Sequence, residues 1–199
     1  TDALPAFAKR AREDVLSFAK GGKPFFLYIP LTSPHSPVVP NKRFQRKTNI
    51  GSYGDFVVET DWVVGQVMKA VDDAKIKDNT LFIFTTDNGA AQFSRNTKGG
   101  KTHLSSGPYR GRKRDNWEGG HRVPFIARWP GVVEPATVSS TVLCLTDITR
   151  TLVTVAGGEI TRHDVAEDSF SFLAALKDNA PGTTIPGNSL RREATVHHG

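Results

Sequence analysis

The sequence predicts an α/β domain with a largely parallel β-sheet flanked by helices. Segments with apolar residues at helical spacing alternate along the chain with short, continuous apolar runs that are typical of buried strands. The resulting order is helix, strand, helix, strand, loop, strand, helix, and this alternation is the pattern of α/β domains. In open α/β sheets ligands bind beyond the carboxyl ends of strands. The polar segments that follow strands are therefore the candidate functional positions.

Four segments are predicted to be helices. The first three carry apolar side chains three or four positions apart, and a pair of glycines follows the first and the third. The fourth is short. They cover residues 7–20, 54–75, 139–156 and 169–177.

Three continuous apolar runs are predicted to be buried strands, and the chain ends on what resembles the start of another. These segments are residues 25–29, 80–85 and 123–129, with the further start at 194–199. Residues 30–50 are expected to form a loop, because four prolines interrupt them. Residues 90–120 are polar, basic and rich in glycine, so we expect a long irregular loop, a feature that is uncommon unless it is functional or disordered.

The composition is that of a globular protein, and its net charge favours anionic partners. Of the 199 residues, 38% are hydrophobic and 23% are charged, and no apolar stretch approaches the ~20 residues of a membrane-spanning helix. The net charge of +6 leaves sulfate esters, phosphate esters and acidic polysaccharides open. Nucleic acid is disfavoured, because the chain has no recognisable binding motif and no clustered aromatic residues. The one cysteine, Cys144, lies in an apolar run and is expected to be a buried structural thiol.

The segment Asp87-Asn88-Gly89 follows the second predicted strand and is a candidate metal site. A carboxylate beside an amide carbonyl offers two hard oxygen ligands, which suit Ca²⁺ or Mg²⁺. The alternative is a plain Asn-Gly turn of a β-hairpin. No alternating return strand follows directly, and this favours the metal site.

Two basic side chains are candidates for contact with an anionic substrate. His35 lies in a loop bracketed by prolines directly after the first predicted strand, where it could bind an anion, donate a proton to a leaving group or ligate a metal. Lys113 lies in the basic segment 109–114 and could stabilise charge on an ester oxygen. The alternative for His35 is a loop histidine bonded to a backbone carbonyl. The alternative for Lys113 is a solvated basic stretch.

The segment that leads into the third predicted strand is interpreted as architectural. Its two glycines, Gly119 and Gly120, indicate close backbone approach or positive φ angles. Glu118 and Arg122 are expected to pair and brace the loop. His103 and His121 are weaker candidates for site residues, and for both we expect a structural role.

In this order and spacing the motifs resemble the second half of the catalytic domain of type I sulfatases, which belong to the alkaline phosphatase superfamily. The resemblance is carried by a Pro-His-x-Pro loop after a strand, a helix, a strand that ends in Asp-Asn-Gly, and an Arg-Gly-x-Lys-x-x-x-x-Glu-Gly-Gly-x-Arg-x-Pro segment. It is strongest over residues 22–158 and weaker over 159–199. We therefore interpret residues 1–199 as one partial catalytic domain with an alkaline-phosphatase-like fold, incomplete because its N-terminal half is absent.

The resemblance implies a role for each candidate residue. Asp87 and Asn88 match a pair that helps to hold the family's divalent ion, usually calcium, with magnesium as the alternative. His35 matches a histidine near the leaving oxygen of the sulfate group, and Lys113 matches a lysine that bridges the sulfate and the leaving-group side. The implied substrate is an aryl sulfate or a sulfated carbohydrate, hydrolysed through a covalent mechanism.

The resemblance also places part of the machinery upstream of this chain. The family's nucleophile is a formylglycine made from Cys or Ser in a Cys/Ser-x-Pro-x-Arg motif, and an acidic pair that completes the metal site belongs to the same upstream half. We expect no such motif in this chain, since its one cysteine, Cys144, is followed by Leu145-Thr146-Asp147. We therefore expect this chain by itself to be inactive. Export to the periplasm, the extracellular space or the lysosome is expected from the family, although we find no targeting signal in this chain.

Two other functions stay open at this point. A phosphodiesterase or phosphonate hydrolase of the same superfamily shares the design of a metal at the end of a strand. A non-catalytic module that binds sulfated glycans through its +6 charge is the alternative from a different class.

Overall fold

The computed structural model describes residues 2–91, 94–96 and 99–177, which form a mixed arrangement of helices and strands. The helices are α1 (Ala3–Lys20), α2 (Ser52–Asp73), α3 (Glu118–His121), α4 (Asp147–Val155) and α5 (Leu173–Lys177). The strands are β1 (Phe82–Thr85), β2 (Ser94–Asn96), β3 (Thr102–Leu104) and β4 (Phe125–Arg128). Short 3-10 turns occupy Lys42–Phe44 and Lys77–Asn79. The strand expected at 194–199 lies outside the described residues. Among the helices that the structure describes, none has both the length and the apolar character that crossing a membrane requires.

Helices α1 and α2 pack against each other and supply most of the hydrophobic core. Their buried apolar side chains form two adjoining clusters, of Ala11, Val15, Val67, Ala70 and Val71 and of Leu4, Ala8, Phe56 and Val63. Because three of these side chains are alanines, the two helix backbones can approach closely. Arg12 and Asp73 form an ion pair of 2.8 Å across the helix pair. Both predicted helices are confirmed. A long apolar stripe at helical spacing needs a surface to pack against, and each of these helices provides it for the other.

Strands β1 and β4 pair in the antiparallel sense, with Phe82 opposite Arg128 and Thr85 opposite Phe125. The strands predicted at 80–85 and 123–129 are therefore present, but the parallel arrangement expected of the sheet does not hold for this pair. A parallel pair needs a crossover connection, usually a helix that carries the chain back along the sheet. The described part of the 86–124 connection contains a hairpin and the four-residue helix α3 instead. The chain therefore leaves and re-enters the sheet at the same end.

The apolar run at 25–29 was expected to be a buried strand, and this prediction is wrong. Leu27 and Ile29 pack against the α1–α2 cluster, whereas Phe26 and Tyr28 are 72% and 74% exposed. A continuous apolar run does not reveal whether one or both of its faces are covered. In the structure, alternate side chains of this run cover α1 and α2. Among the described residues, no strand pairs with this extended segment.

The loop expected at 90–120 contains more regular structure than predicted. Strands β2 and β3 form a two-stranded antiparallel hairpin, with Arg95 opposite His103. The strands are only three residues long and polar in sequence, so they give no apolar alternation from which a strand could be predicted. Helix α3 then precedes β4.

Helix α4 begins at Asp147 rather than at residue 139. The Asp147 carboxylate accepts the backbone N–H of Cys144 at 2.8 Å and that of Phe170 at 2.9 Å, so the residue anchors the turn in which the helix starts. The chain before it is non-helical, and Cys144 is exposed, so the expectation of a buried thiol is wrong. The helix ends as predicted at the glycine pair 157–158, where N–H bonds to Thr154 and Val153 form a Schellman motif. Helix α5 falls within the predicted 169–177.

Candidate active site

The segment after β1 presents two oxygen-bearing side chains at the end of the sheet. Asp87 is exposed, and its carboxylate accepts a long 3.3 Å hydrogen bond from the hydroxyl of Thr86. Asn88 is half-buried, and its amide nitrogen donates to the carbonyl of Gly89 at 2.9 Å, which leaves the amide oxygen as an acceptor. The strand that pairs with β1 returns only at Phe125. The Asn-Gly pair is therefore not the turn of a tight hairpin.

Gly89 lies in direct backbone contact with the Gly119-Gly120 pair of α3. Its N–H donates to the carbonyl of Gly120 at 2.8 Å. A Cβ atom at position 89 would collide with the carbonyl oxygen of Gly119, and one at 119 would collide with the carbonyl oxygen of Gly111. The close backbone approach expected from the two glycines is confirmed, and it requires glycine on both sides of the contact.

Lys113 is held beside this segment through its own backbone. Its N–H donates to the carbonyl of Ala90 at 2.8 Å. Lys113 follows Arg112 in a turn that closes where the N–H of Asp115 donates to the carbonyl of Arg112 at 2.9 Å. The Lys113 side chain is half-buried, in contrast to the exposed Arg112 and Arg114, and it forms no ion pair within the described residues. Its ammonium group is therefore available to an anion.

Ion pairing and ring stacking brace the same loop. Arg122 and Glu118 pair at 2.9 Å, as predicted, and the Arg122 guanidinium also lies 4.6 Å from the ring centre of Tyr109. The hydrogen bond from Arg122 to Glu118 raises the pKa of the guanidinium above its usual value. His121 has the structural role expected of it, because its Nε2 lies 2.9 Å from the carbonyl of Asn116.

His35 lies in a different segment, the loop that connects α1 to α2 along the chain. Its Nδ1 is 2.8 Å from the carbonyl oxygen of Ser36. A carbonyl only accepts, so Nδ1 carries the proton and Nε2 is the ring atom left for another partner. His35 also lines a cavity of about 170 Å³ together with Thr32, Phe56 and Glu59. The bond to a backbone carbonyl is the one expected of a structural loop histidine, but it occupies only one ring nitrogen.

The structure thus joins three of the four candidate residues in one network. Asp87, Asn88 and Lys113 belong to segments linked by backbone hydrogen bonds, whereas within the described residues no hydrogen bond connects His35 to that network. Over the same residues no group of three or more His, Cys, Asp or Glu side chains is placed to hold a metal ion. Asp87 and Asn88 supply hard oxygens of the kind that suits a divalent cation.

Two features near these residues are missed by the sequence analysis. Glu59 and Thr60 are buried polar residues of α2 that contact the His35 loop, and the available signal is a pair of polar residues within an apolar stripe. The second is a local match to the Cys/Ser-x-Pro-x-Arg motif at residues 106–110, Ser-Gly-Pro-Tyr-Arg, so the expectation that this chain contains no such motif is wrong. The hydroxyl of Ser106 donates to the carbonyl of Gly119 at 3.4 Å, so this stretch contributes to the same loop.

Comparison with known proteins gives one consistent result. The sulfatase family matches residues 6–158 of the chain. N-acetylgalactosamine-6-O-sulfatase of Bacteroides thetaiotaomicron is 36% identical over 141 residues, which cover 67% of this chain and 27% of that protein. Arylsulfatase D of Homo sapiens is 37% identical over 157 residues, which cover 77% of this chain and 26% of that protein.

Solved structures agree with this result. A Bacteroides thetaiotaomicron protein studied for the metabolism of multiple glycosaminoglycans superimposes with a TM-score of 0.79 at 32% identity, over 90% of this chain and 38% of its own. A sulfatase from Pseudoalteromonas sp. superimposes with a TM-score of 0.71 at 29% identity, over 85% of this chain and 34% of its own. The chain spans about a quarter of the length of the two curated relatives. The α/β, alkaline-phosphatase-like fold class is confirmed, and the chain belongs to the sulfatase family, of whose domain it forms a part.

Proposed function

We propose that the protein carrying this chain hydrolyses sulfate esters, and that this chain supplies part of its metal site and of its sulfate contacts. The metal ligands are Asp87 and Asn88, and the sulfate contacts are Lys113 and His35. The substrate is the sulfate ester of an aromatic alcohol or of a carbohydrate, since the similar proteins are named arylsulfatase and N-acetylgalactosamine-6-sulfatase.

The observation that carries the proposal is the 2.8 Å hydrogen bond from the Lys113 N–H to the Ala90 carbonyl. It brings a lysine without a described ion-pair partner to the segment that holds Asp87 and Asn88, although more than twenty residues separate them in sequence. A cationic side chain next to two hard oxygen ligands suits a site that binds a divalent cation together with an oxyanion. A solvated basic stretch would not need this connection.

Calcium is the proposed metal, and magnesium is the alternative. The Asp87 carboxylate is exposed and the Asn88 carbonyl oxygen accepts no described hydrogen bond, so both are open to a hard cation. When bound, the metal would neutralise charge on the sulfate oxygens, and a formylglycine from outside the described residues would supply the nucleophilic oxygen.

The two basic residues have separate tasks in this proposal. The Lys113 ammonium binds a sulfate oxygen and stabilises the charge that develops there. The Nε2 atom of His35 donates a proton to the oxygen of the leaving group from the doubly protonated ring, since the Nδ1 proton is already bonded to the Ser36 carbonyl.

The test is hydrolysis of an aryl sulfate by the full-length protein with calcium present, with a phosphodiester as the comparison substrate. We expect sulfate release, and a loss of at least about 100-fold in kcat/KM for Asp87→Ala and for Lys113→Ala. Arg114→Ala is the matched control for Lys113→Ala, because Arg114 is an exposed basic residue next to it, and its activity should stay within about twofold.

Other results would support the alternative functions. Cleavage of the phosphodiester without sulfate release would indicate a phosphodiesterase of the same superfamily. If the folded protein turned over neither substrate but retained a sulfated glycan, the protein would be a binding module, and Asp87 and Asn88 would be ordinary turn residues.

A further inference from the structure

Helix α2 holds the loop that carries His35 at both of its ends. At the near end, the hydroxyl of Thr60 lies 2.7 Å from the hydroxyl of Ser33. At the far end, one carboxylate oxygen of Glu59, Oε2, accepts the backbone N–H of Asn41 at 2.8 Å. His35 lies between these two attachment points, and its own described hydrogen bond goes to the adjacent Ser36.

The two residues that make these contacts are buried to a degree that is unusual for their type. Glu59 is 1% exposed and Thr60 is 8% exposed, and both lie in the stripe of α2 that also buries Phe56 and Val63. A buried carboxylate is costly unless hydrogen bonds compensate it. A solely structural requirement at these positions would be met by apolar side chains, which would extend the helix interface with α1.

The Glu59 carboxylate is also related to His35 through its second oxygen. Its second oxygen, Oε1, is buried and has no hydrogen-bond partner within the described part of the chain. Glu59 lines the cavity of about 170 Å³ that His35, Thr32 and Ser36 also line. The carboxylate therefore anchors Asn41 through one oxygen and has an unused acceptor beside the cavity of the histidine loop.

We propose that Glu59 and Thr60 are positioning residues that hold the His35 loop so that Nε2 meets the leaving-group oxygen. The proposal rests on the proposed function, because it assumes the role given there to His35. Proton transfer needs the donor within about 3 Å of the acceptor, and a loop anchored at one end alone would not keep the ring within that limit.

Substitution of Thr60 provides a sharp test. Thr60→Val is nearly isosteric and removes the hydroxyl that contacts Ser33, whereas Thr60→Ser keeps it. Each variant of the full-length protein is assayed on two sulfate esters, one of a nitrophenol, whose anion leaves without a proton, and one of an alkyl or sugar alcohol, whose oxygen needs one. We expect Thr60→Val to lower kcat about 10-fold on the alcohol ester and less than threefold on the nitrophenyl ester. Thr60→Ser should restore both values.

Glu59→Gln tests the other anchor, and Asp61→Asn is its matched control. Asp61 is the exposed acidic residue on the same turn of α2, so its substitution removes a carboxylate without touching the loop. We expect Glu59→Gln to show the same selective loss on the alcohol ester and Asp61→Asn to show none. Amide hydrogen exchange of residues 33–41, measured without substrate, should accelerate in Thr60→Val and in Glu59→Gln.

The outcomes separate this proposal from the function on which it rests. Equal losses on both esters in Thr60→Val, or unchanged exchange of residues 33–41, would overturn the positioning role. His35→Ala should itself show the selective loss on the alcohol ester. If it lowers both rates equally, the proposed role of His35 is wrong, irrespective of what the α2 variants do.

Discussion

The loop between β1 and β4 and the loop before α2 are held in place by different kinds of contact. In the first, residues far apart in sequence meet through their backbones. The N–H of Gly89 donates to the carbonyl of Gly120 at 2.8 Å, and that of Lys113 donates to the carbonyl of Ala90 at the same distance. The contact is possible because glycine leaves no side chain between the segments.

The loop before α2 is held instead by polar side chains of one helix. Asp55, Glu59 and Thr60 are all buried in α2, and each hydrogen-bonds a residue of the preceding loop. The two candidate halves of the site therefore differ in what would disturb them. The β1–β4 loop is sensitive to atoms that are added, and the loop before α2 is sensitive to atoms that are removed.

Gly89→Ala should give the largest effect. The new Cβ would collide with the Gly119 carbonyl, which is backbone and cannot move aside without breaking the hydrogen bond from Gly89 to Gly120. We expect a loss of about 3 kcal/mol in unfolding free energy, measured by denaturant titration of the full-length protein, and loss of sulfate release.

Gly65→Ala is the matched control for Gly89→Ala. Gly65 lies within α2, and a Cβ there would meet no atom within 4 Å. Alanine is the better helix former by about 0.5–1 kcal/mol, so this variant should be slightly more stable than the parent. If Gly89→Ala were as stable as Gly65→Ala, the close contact between the two loop segments would not exist.

Asp55→Asn should give an intermediate effect, because it changes hydrogen bonds and adds no bulk. The Asp55 carboxylate accepts the N–H groups of Arg46 at 2.7 Å and of Thr48 at 2.8 Å, and the Thr48 hydroxyl at 3.1 Å. Hydrogen bonds to a charged acceptor are worth more than neutral ones, so we expect a loss of about 2 kcal/mol at neutral pH.

The effect of Asp55→Asn should also depend on pH. Burial alone would raise the pKa of Asp55, but the hydrogen bonds from Thr48 and Arg46 outweigh it and lower the pKa below its usual 3.8. The ionised carboxylate therefore stabilises the fold above pH 3.8, and this stabilisation is lost as the pH falls through the lowered value. The difference in unfolding free energy between parent and variant should thus be constant near neutral pH and shrink in acid. A difference that grows in acid would contradict this.

The same contrast explains how much of the fold could be predicted from sequence. Helices α1 and α2 could be predicted because each carries many apolar residues at helical spacing, a pattern that neither a strand nor a loop produces over such a length. The run at 25–29 and the start of α4 were wrongly predicted. A short apolar run is compatible with one or two covered faces, and the start of α4 depends on the distant contact between Asp147 and Phe170. Such a contact leaves no local pattern.

The candidate site divides in the same way. Asp87, Asn88 and Lys113 could be singled out because each lies in a motif of adjacent residues, and the structure brings their segments together. Glu59 and Thr60 could have been recognised only by asking why an apolar stripe contains two polar residues. Their partners, Asn41 and Ser33, are 18 and 27 residues away, and neither separation follows from a local spacing rule.

Ser106→Ala should give the smallest effect and bears on where the nucleophile lies. The Ser106 hydroxyl reaches the Gly119 carbonyl at 3.4 Å, a weaker contact than the 2.7 Å hydrogen bond from the Gly119 N–H to the Arg110 carbonyl. We expect a stability change below about 1 kcal/mol and unchanged sulfate release, because the nucleophile is expected in another segment.

Mass spectrometry of the peptide that contains Ser106 completes this test. The residue should be an unmodified serine, since conversion to formylglycine would remove two hydrogen atoms from it. Loss of activity in Ser106→Ala together with that mass loss would place the nucleophile in the β1–β4 loop. That loop would then carry the nucleophile as well as the metal ligands and the lysine. An unmodified Ser106 with full activity in the variant would limit this loop to the metal and the sulfate, and a different part of the protein would have to bring the attacking oxygen to it.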